Sequence, residues 1–177
     1  MSELRLEVLE RHHMETIIIE RNKVLEVLRT PYRINGDMQE TYFIDTICNR
    51  NSTTRYWAVY DDDKFVAMGG VENIIWENGL AELSVLVFEK YRKQGYGKQA
   101  VAMFLDNAFN YLGLENVYGE CYLCNSIGVV FWKTIIKKYK AYKTILPNRK
   151  YYKGKYWDSI YFNIKKSNIN GWDFQSI

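Results

Sequence analysis

The stretch that most constrains this 177-residue chain is AELSVLVFEKYRKQGYGKQAVAMFLDNAFNYL, residues 81–112. Leu83, Val85 and Val87 alternate with Ser84 and Leu86 in a run of large and β-branched side chains, the pattern of a largely buried strand. Phe88-Glu89-Lys90-Tyr91 ends that pattern, and Gly95 and Gly97 follow at G-x-G spacing. Ala100, Val101, Phe104, Leu105, Ala108, Phe109 and Leu112 then recur at steps of three and four, marking one face of a helix. A strand feeding a glycine loop that opens a helix is an anion site in outline. The first N–H groups of a helix lack internal partners, and the helix dipole favours negative charge there. Arg92, Lys93 and Lys98 add cations. A tight turn with a solvated basic patch has the same composition, so spacing alone leaves both readings open.

The remaining chain supplies a sheet around this unit. Residues 4–9 alternate as a first strand, and 13–28 carry apolar positions at helical spacing until Pro31 breaks the chain. Asn35-Gly36-Asp37 offers a turn and cap for a second helix over 38–48. Residues 55–60 and 64–75 read as a hairpin about Asp61-Asp62-Asp63, with a bulge expected at Gly69-Gly70. Gly113 stops the long helix, 116–122 is a fifth strand, and 126–136 a short helix. Residues 139–146 and 156–164 read as an antiparallel pair about Pro147-Asn148-Arg149. Residues 1–164 are expected to form one domain, and 165–177 a polar tail docked through Trp172 and Phe174 or loosely ordered.

Composition narrows the class without naming it. Hydrophobic residues at 47% and charged residues at 25% are ordinary globular values. A net charge of +3 suits an anionic ligand but does not by itself argue for nucleic-acid binding, and no nucleic-acid partner is expected. Cys48, Cys121 and Cys124 are an odd count without a paired framework, which points to a reducing, cytoplasmic setting. The Cys121-x-x-Cys124 spacing has no second pair, and His12 and His13 have no acidic cluster beside them, so no metal site is expected. No apolar run is long enough to span a bilayer, and no membrane role is expected.

Arg92-Lys93-Gln94-Gly95-Tyr96-Gly97 matches the R/Q-x-x-G-x-G/A signature of the GNAT superfamily of acetyl-CoA-dependent N-acetyltransferases, and the chain resembles that family over roughly residues 55–163. Within it the RimJ/RimL-type branch is the most similar. The resemblance implies an α+β fold: a mixed, mostly antiparallel sheet of six to seven strands, flanked by about four helices and splayed between strands 4 and 5. It implies acetyl-CoA as cosubstrate, with Arg92, Lys93, Gln94, Gly95, Tyr96, Gly97 and Lys98 cradling its pyrophosphate. Val85 and Val87 would meet the pantetheine arm through their backbone. Asn125 opens a segment resembling the family's N-x-x-A-x-x-[FL]-Y and would contact the same arm. The final Tyr of that pattern, which protonates the leaving thiolate, is here Trp132, which has no acidic proton of useful pKa.

Acetyl transfer to a primary amine by direct attack needs a group that removes the ammonium proton, since an alkylammonium has a pKa of about 10. Glu82 and Glu120 stand on strands where the family places that base, and the sequence does not choose between them. Tyr122 and Tyr139 are candidate replacements for the missing acid, with solvent as the alternative, and Trp132 is a candidate for packing against the coenzyme. The acceptor, expected to be a protein N-terminus or lysine or a small-molecule amine such as an amino sugar, would be held by the early helices, the loop near Arg29-Thr30-Pro31-Tyr32 and the segment 150–158, which interleaves cations with aromatics. A non-catalytic acyl-CoA-binding or regulatory module is the alternative, for which Trp132 is the best support. The chain is expected to be a monomer or homodimer.

Overall fold

The computed structural model describes residues 4–169. Its seven strands are β1 (Leu4–Val8), β2 (Arg55–Asp61), β3 (Lys64–Ile75), β4 (Leu80–Val87), β5 (Asn116–Tyr122), β6 (Tyr142–Tyr152) and β7 (Lys155–Lys165). They form one sheet in the order β1-β2-β3-β4-β5-β7-β6, antiparallel throughout except for the parallel β4–β5 pair. Four α-helices flank it: α1 (Met14–Asn22), α2 (Gly36–Tyr42), α3 (Tyr96–Asp106) and α4 (Ser126–Lys138). This is the α+β architecture that the family resemblance implies.

The period-two and period-3.6 patterns sort the side chains onto two faces. On one, Ala81 and Leu83 of β4 and Val117 of β5 join Ala100, Val101, Phe104 and Leu105 of α3 and Ile135 of α4 in the main core. On the other, Ala58, Met68 and Phe88 meet Met14, Ile17 and Phe43 from the α1–α2 layer. Residues of β5 and β7 that face away from the main core are polar or aromatic: Tyr118, Glu120 and Tyr122, opposite Asn163, Tyr161 and Ser159.

Several boundaries differ from the sequence reading. The first helix stops at Asn22 instead of running to Leu28, because the Asn22 amide pairs with both backbone groups of Ile34, at 2.9 and 3.0 Å. A side chain that bonds to distant backbone in this way competes with helix continuation. The C-terminal hairpin turns at Lys153-Gly154, both at positive φ as a two-residue hairpin requires, while the Pro147–Arg149 segment forms an irregularity within β6. Gly69 and Gly70 are not a bulge. Register runs through them, and the shifts fall at Val59/Tyr60 and Glu72/Ile75. The two glycines serve close approach instead: a Cβ at Gly70 would lie 2.1 Å from the Arg55 carbonyl oxygen, and one at Gly69 2.3 Å from that of Ser84. After β7 a short 3-10 turn brings Ile169 into the main core. Trp172 and Phe174 lie outside the described residues.

Gly70→Ala is therefore expected to destabilise the protein by about 3 kcal/mol, because the colliding atom is backbone and has nowhere to go. Denaturant unfolding of the variant beside Gly36→Ala, where an added Cβ meets nothing within 4 Å, provides the check.

Candidate active site

β4 and β5 are paired only at Leu80–Asn116, Ala81–Val117 and Glu82–Tyr118. Beyond Glu82, β4 continues to Val87 and β5 to Tyr122 without a shared ladder. The sheet thus opens a wedge whose β4 wall is unpaired backbone on that side. Val85 and Val87 turn their side chains toward the main core, so what they offer the wedge is main chain. An extended arm carrying amide groups fits such an edge by adding to the sheet.

The mouth of the wedge is the loop before α3. Gly95 caps the helix at φ 92°, in the left-handed region that glycine enters without strain. Arg92 Nε donates to the Val87 carbonyl at 3.1 Å, Gln94 Nε2 to that of Lys90 at 2.9 Å, and the Tyr96 hydroxyl to Asp61 Oδ2 at 2.5 Å. These three side chains hold the loop in shape. The remaining anion-binding capacity lies in the N–H groups of the first helical turn and in the exposed Lys93 and Lys98. Lys138, at the end of α4, is a further cation that the sequence reading missed. Burial and the nearby Lys98 charge both lower its pKa, and only the packing of α4 beside α3 reveals it.

Asn125 caps α4, its Oδ1 accepting from the Gly128 N–H at 2.8 Å, which leaves the amide NH2 as its donor. Trp132 packs against Phe131 and Phe162, each 4.9 Å away between ring centroids, and is half-buried at the margin of the main core.

The carboxylates converge at the apex of the wedge, on the face away from α3. Glu82 belongs to the last β4–β5 pair and is buried. It is bonded by Arg29 Nη2 and, at 3.1 Å, by Asn73 Nδ2. Glu120 accepts from Arg149 Nε at 2.8 Å and from the Ser159 hydroxyl at 2.6 Å, and its other oxygen lies 3.6 Å from the same Arg29 nitrogen. Burial pushes the Glu120 pKa up, but the two hydrogen bonds and the two guanidinium charges prevail and hold it below its ordinary value. Glu72, absent from the sequence reading, sits directly across β3 from Glu82. Burial and the Glu82 charge raise its pKa against a stabilising bond from Tyr56. Tyr122 is buried at the end of β5, its pKa raised first by burial and then by the Glu120 charge, with the Arg29 charge opposing both. The structure thus brings Glu82, Glu120 and Tyr122 together around Arg29. No sequence signal marked Glu72, whose place depends on strand register, whereas the loop at Arg29, expected to border the acceptor pocket, does deliver its guanidinium to this cluster.

A half-open cavity of about 340 Å³, lined by Leu9, Cys48, Arg50, Arg55 and Trp57, lies elsewhere, on the β1–β2 side. The loop, the open backbone and the carboxylates meet at the wedge instead. Among the described residues no group of three or more His, Cys, Asp or Glu is placed to hold a metal, and no helix is long and apolar enough to cross a membrane.

Comparison with known proteins agrees with this geometry. The family model described as acetyltransferase (GNAT) domain matches residues 3–127, which includes β1 to β5, the glycine loop and α3. Among solved structures, spermidine N-acetyltransferase from Vibrio cholerae in complex with CoA and spermine has a TM-score of 0.81 at 18% identity, with 95% of this chain and 98% of that one covered. A chimera of the Vibrio cholerae spermidine N-acetyltransferase and hSSAT has a TM-score of 0.79 at 22% identity, covering 96% and 99%. At these identities the likeness to solved structures establishes the fold. No curated protein matches the chain.

Two outcomes test the site as built. Gly95→Val forces a branched side chain to positive φ at the helix cap, and is expected to abolish the rise in melting temperature that acetyl-CoA gives the parent protein. The second concerns acid. Because the folded pKa of Glu120 is depressed, its stabilisation is present above the unfolded value of about 4.5 and fades as pH falls through the lower folded value. Glu120→Gln should therefore flatten the stability loss below about pH 4.5, read from urea midpoints across an acid series.

Proposed function

The chain belongs to the acetyltransferase (GNAT) family and uses acetyl-CoA to acetylate an amine; from that premise we propose that its acceptor is a small, slender alkylammonium of the polyamine class, seated at the apex of the β4–β5 wedge. One observation carries the reading: Glu72, Glu82 and Glu120 stand on three successive strands at that apex. Paired strands lie about 4.8 Å apart, which sets Glu72 beside Glu82, and a single Arg29 nitrogen reaches both Glu82 and Glu120, so the carboxylates form a close row that a chain of ammonium groups can match. Tyr56, Tyr118 and Tyr161 surround it with aromatic rings. A protein N-terminus, as in the RimJ/RimL-type branch, would need a mouth wide enough for a peptide backbone, whereas Glu82 is buried beneath the loop that carries Arg29.

Acetyl-CoA supplies the acetyl group as an activated thioester. The N–H groups of the first α3 turn, Lys93, Lys98 and Lys138 would hold its pyrophosphate, and the β4 backbone at Val85 and Val87 its pantetheine arm. Arg92, Gln94 and Tyr96 keep the loop shaped for it. Glu82, on the last pair before the strands part, removes the ammonium proton directly or through a water. Glu72, with its raised pKa, is the next station for that proton. Glu120 remains ionised beside two guanidinium groups and binds the cation instead of acting as base. Asn125 and Trp132 border the arm, and Tyr122 donates a hydrogen bond to the departing sulfur.

Steady-state kinetics across spermidine, spermine, an amino sugar and a short peptide with a free N-terminus test the acceptor. Turnover of the polyamines with specificity constants at least about tenfold above the others is the expected result, and selective turnover of the peptide would overturn it. Glu82→Gln should lower kcat by about a hundredfold or more while the KM for acetyl-CoA stays unchanged.

A further inference from the structure

The cation already present at the apex has the geometry of a substrate stand-in. We infer that the Arg29 guanidinium is the resident cation of the acceptor site, lying where the substrate ammonium binds and displaced by it. One nitrogen, Arg29 Nη2, serves both Glu82 Oε1 and Glu120 Oε2. The two glutamate side chains are only 7% and 5% exposed, whereas that of Arg29 is 46% exposed. The carboxylates are thus built into the protein, and the cation reaches them from solvent.

The backbone around Arg29 is anchored on both sides. Lys150 Nζ donates to the carbonyls of Glu26 and Leu28 at 2.6 and 2.5 Å. Arg21 donates to the Thr30 hydroxyl at 2.8 Å and to the Tyr32 carbonyl at 3.1 Å. The main chain on either side is therefore fixed, and the freedom to leave lies in the Arg29 side chain. Its departure would strand two buried carboxylates, which is costly unless another cation arrives. An ammonium is that cation, and a one-for-one exchange leaves the charge of the site unaltered. Arg149 differs, because it bonds the Glu120 oxygen that also accepts from Ser159, on the side away from Glu82.

This inference rests on the apex being the acceptor seat. The test measures spermidine KM, kcat and the spermidine-induced rise in melting temperature, all with the coenzyme present, for the parent, Arg29→Met, Arg29→Lys and the double variant E82Q/E120Q. Arg29→Met keeps the stem without the charge. It should melt earlier than the parent alone, yet gain more from spermidine, with a spermidine KM about tenfold lower and an unchanged KM for acetyl-CoA. Arg29→Lys, which restores a cation, should return both values toward the parent. An unchanged or raised spermidine KM in Arg29→Met, with a smaller thermal gain, would overturn the inference and leave Arg29 as a brace for the glutamates. A full spermidine shift in E82Q/E120Q would instead remove the seat itself.

Discussion

Everything distinctive about this molecule depends on the short parallel contact between β4 and β5. Parallel neighbours cannot be joined by a hairpin and need a crossover, here supplied by α3. A crossover helix starts at the C-terminal end of the strand it leaves, so the N-terminus of α3 lies at the mouth of whatever opens beyond the last β4–β5 pair. Because pairing ends at Glu82 and Tyr118, a wedge does open there, and one connection supplies both its unpaired wall and its anion-binding mouth. Phe104 and Leu105, fully buried against the sheet, fix the helix to β3 and β4 and keep the two features in register. Gly69 lets β4 approach β3 closely at that point, since a side chain there would strike both the β4 backbone and the Phe104 ring.

The same divergence explains the electrostatics. A strand pair that separates leaves polar side chains at its fork that neither a helix nor a neighbouring strand covers fully. Burying carboxylates at such a place costs several kcal/mol each unless cations and hydroxyls answer them. Arg29, Arg149, Ser159, Asn73 and the tyrosine hydroxyls do so, and no two of the three glutamates have the same set of partners. That difference separates their chemistry: Glu120 is pinned as an anion, whereas Glu72 is moved toward protonation. A chain with net charge +3 thus hides an acidic row inside itself, which overall composition cannot report.

What the sequence made legible follows from the range of the interactions involved. The strand, loop and helix of residues 81–112 are specified by neighbours in the chain, so their pattern was readable, as were the extents of β3 and β5. Glu82 and Glu120 could be singled out because each lies on a strand with a recognisable pattern. Glu72 joins the acidic row through its register with Glu82, and Arg29 through a contact 53 residues away along the chain. Neither relation leaves a local trace. The hairpin turn was misplaced for a related reason. Pro147 and Asn148 carry strong turn chemistry, but Asn148 spends its positive φ of 54° on an irregularity inside β6, and the Lys153-Gly154 pair closes the hairpin.

The exchange of the family's helix tyrosine for Trp132 alters how the thiolate can leave. Trp132 is committed to packing on Phe131 and Phe162 and offers no acidic proton. Tyr122 stands on β5 instead, and burial together with the Glu120 charge raises its pKa above the ordinary 10. A thiol has a pKa of about 8.5, so complete proton transfer from Tyr122 to the thiolate would run uphill by at least about 2 kcal/mol. What a fixed phenol supplies without that cost is a hydrogen bond aimed at charge as it develops on sulfur. For the role proposed for Tyr122, staying protonated is therefore an advantage. The environment that makes it a poor acid guarantees that the donor is present at neutral pH, and the thiolate can depart as an anion and take its proton from solvent.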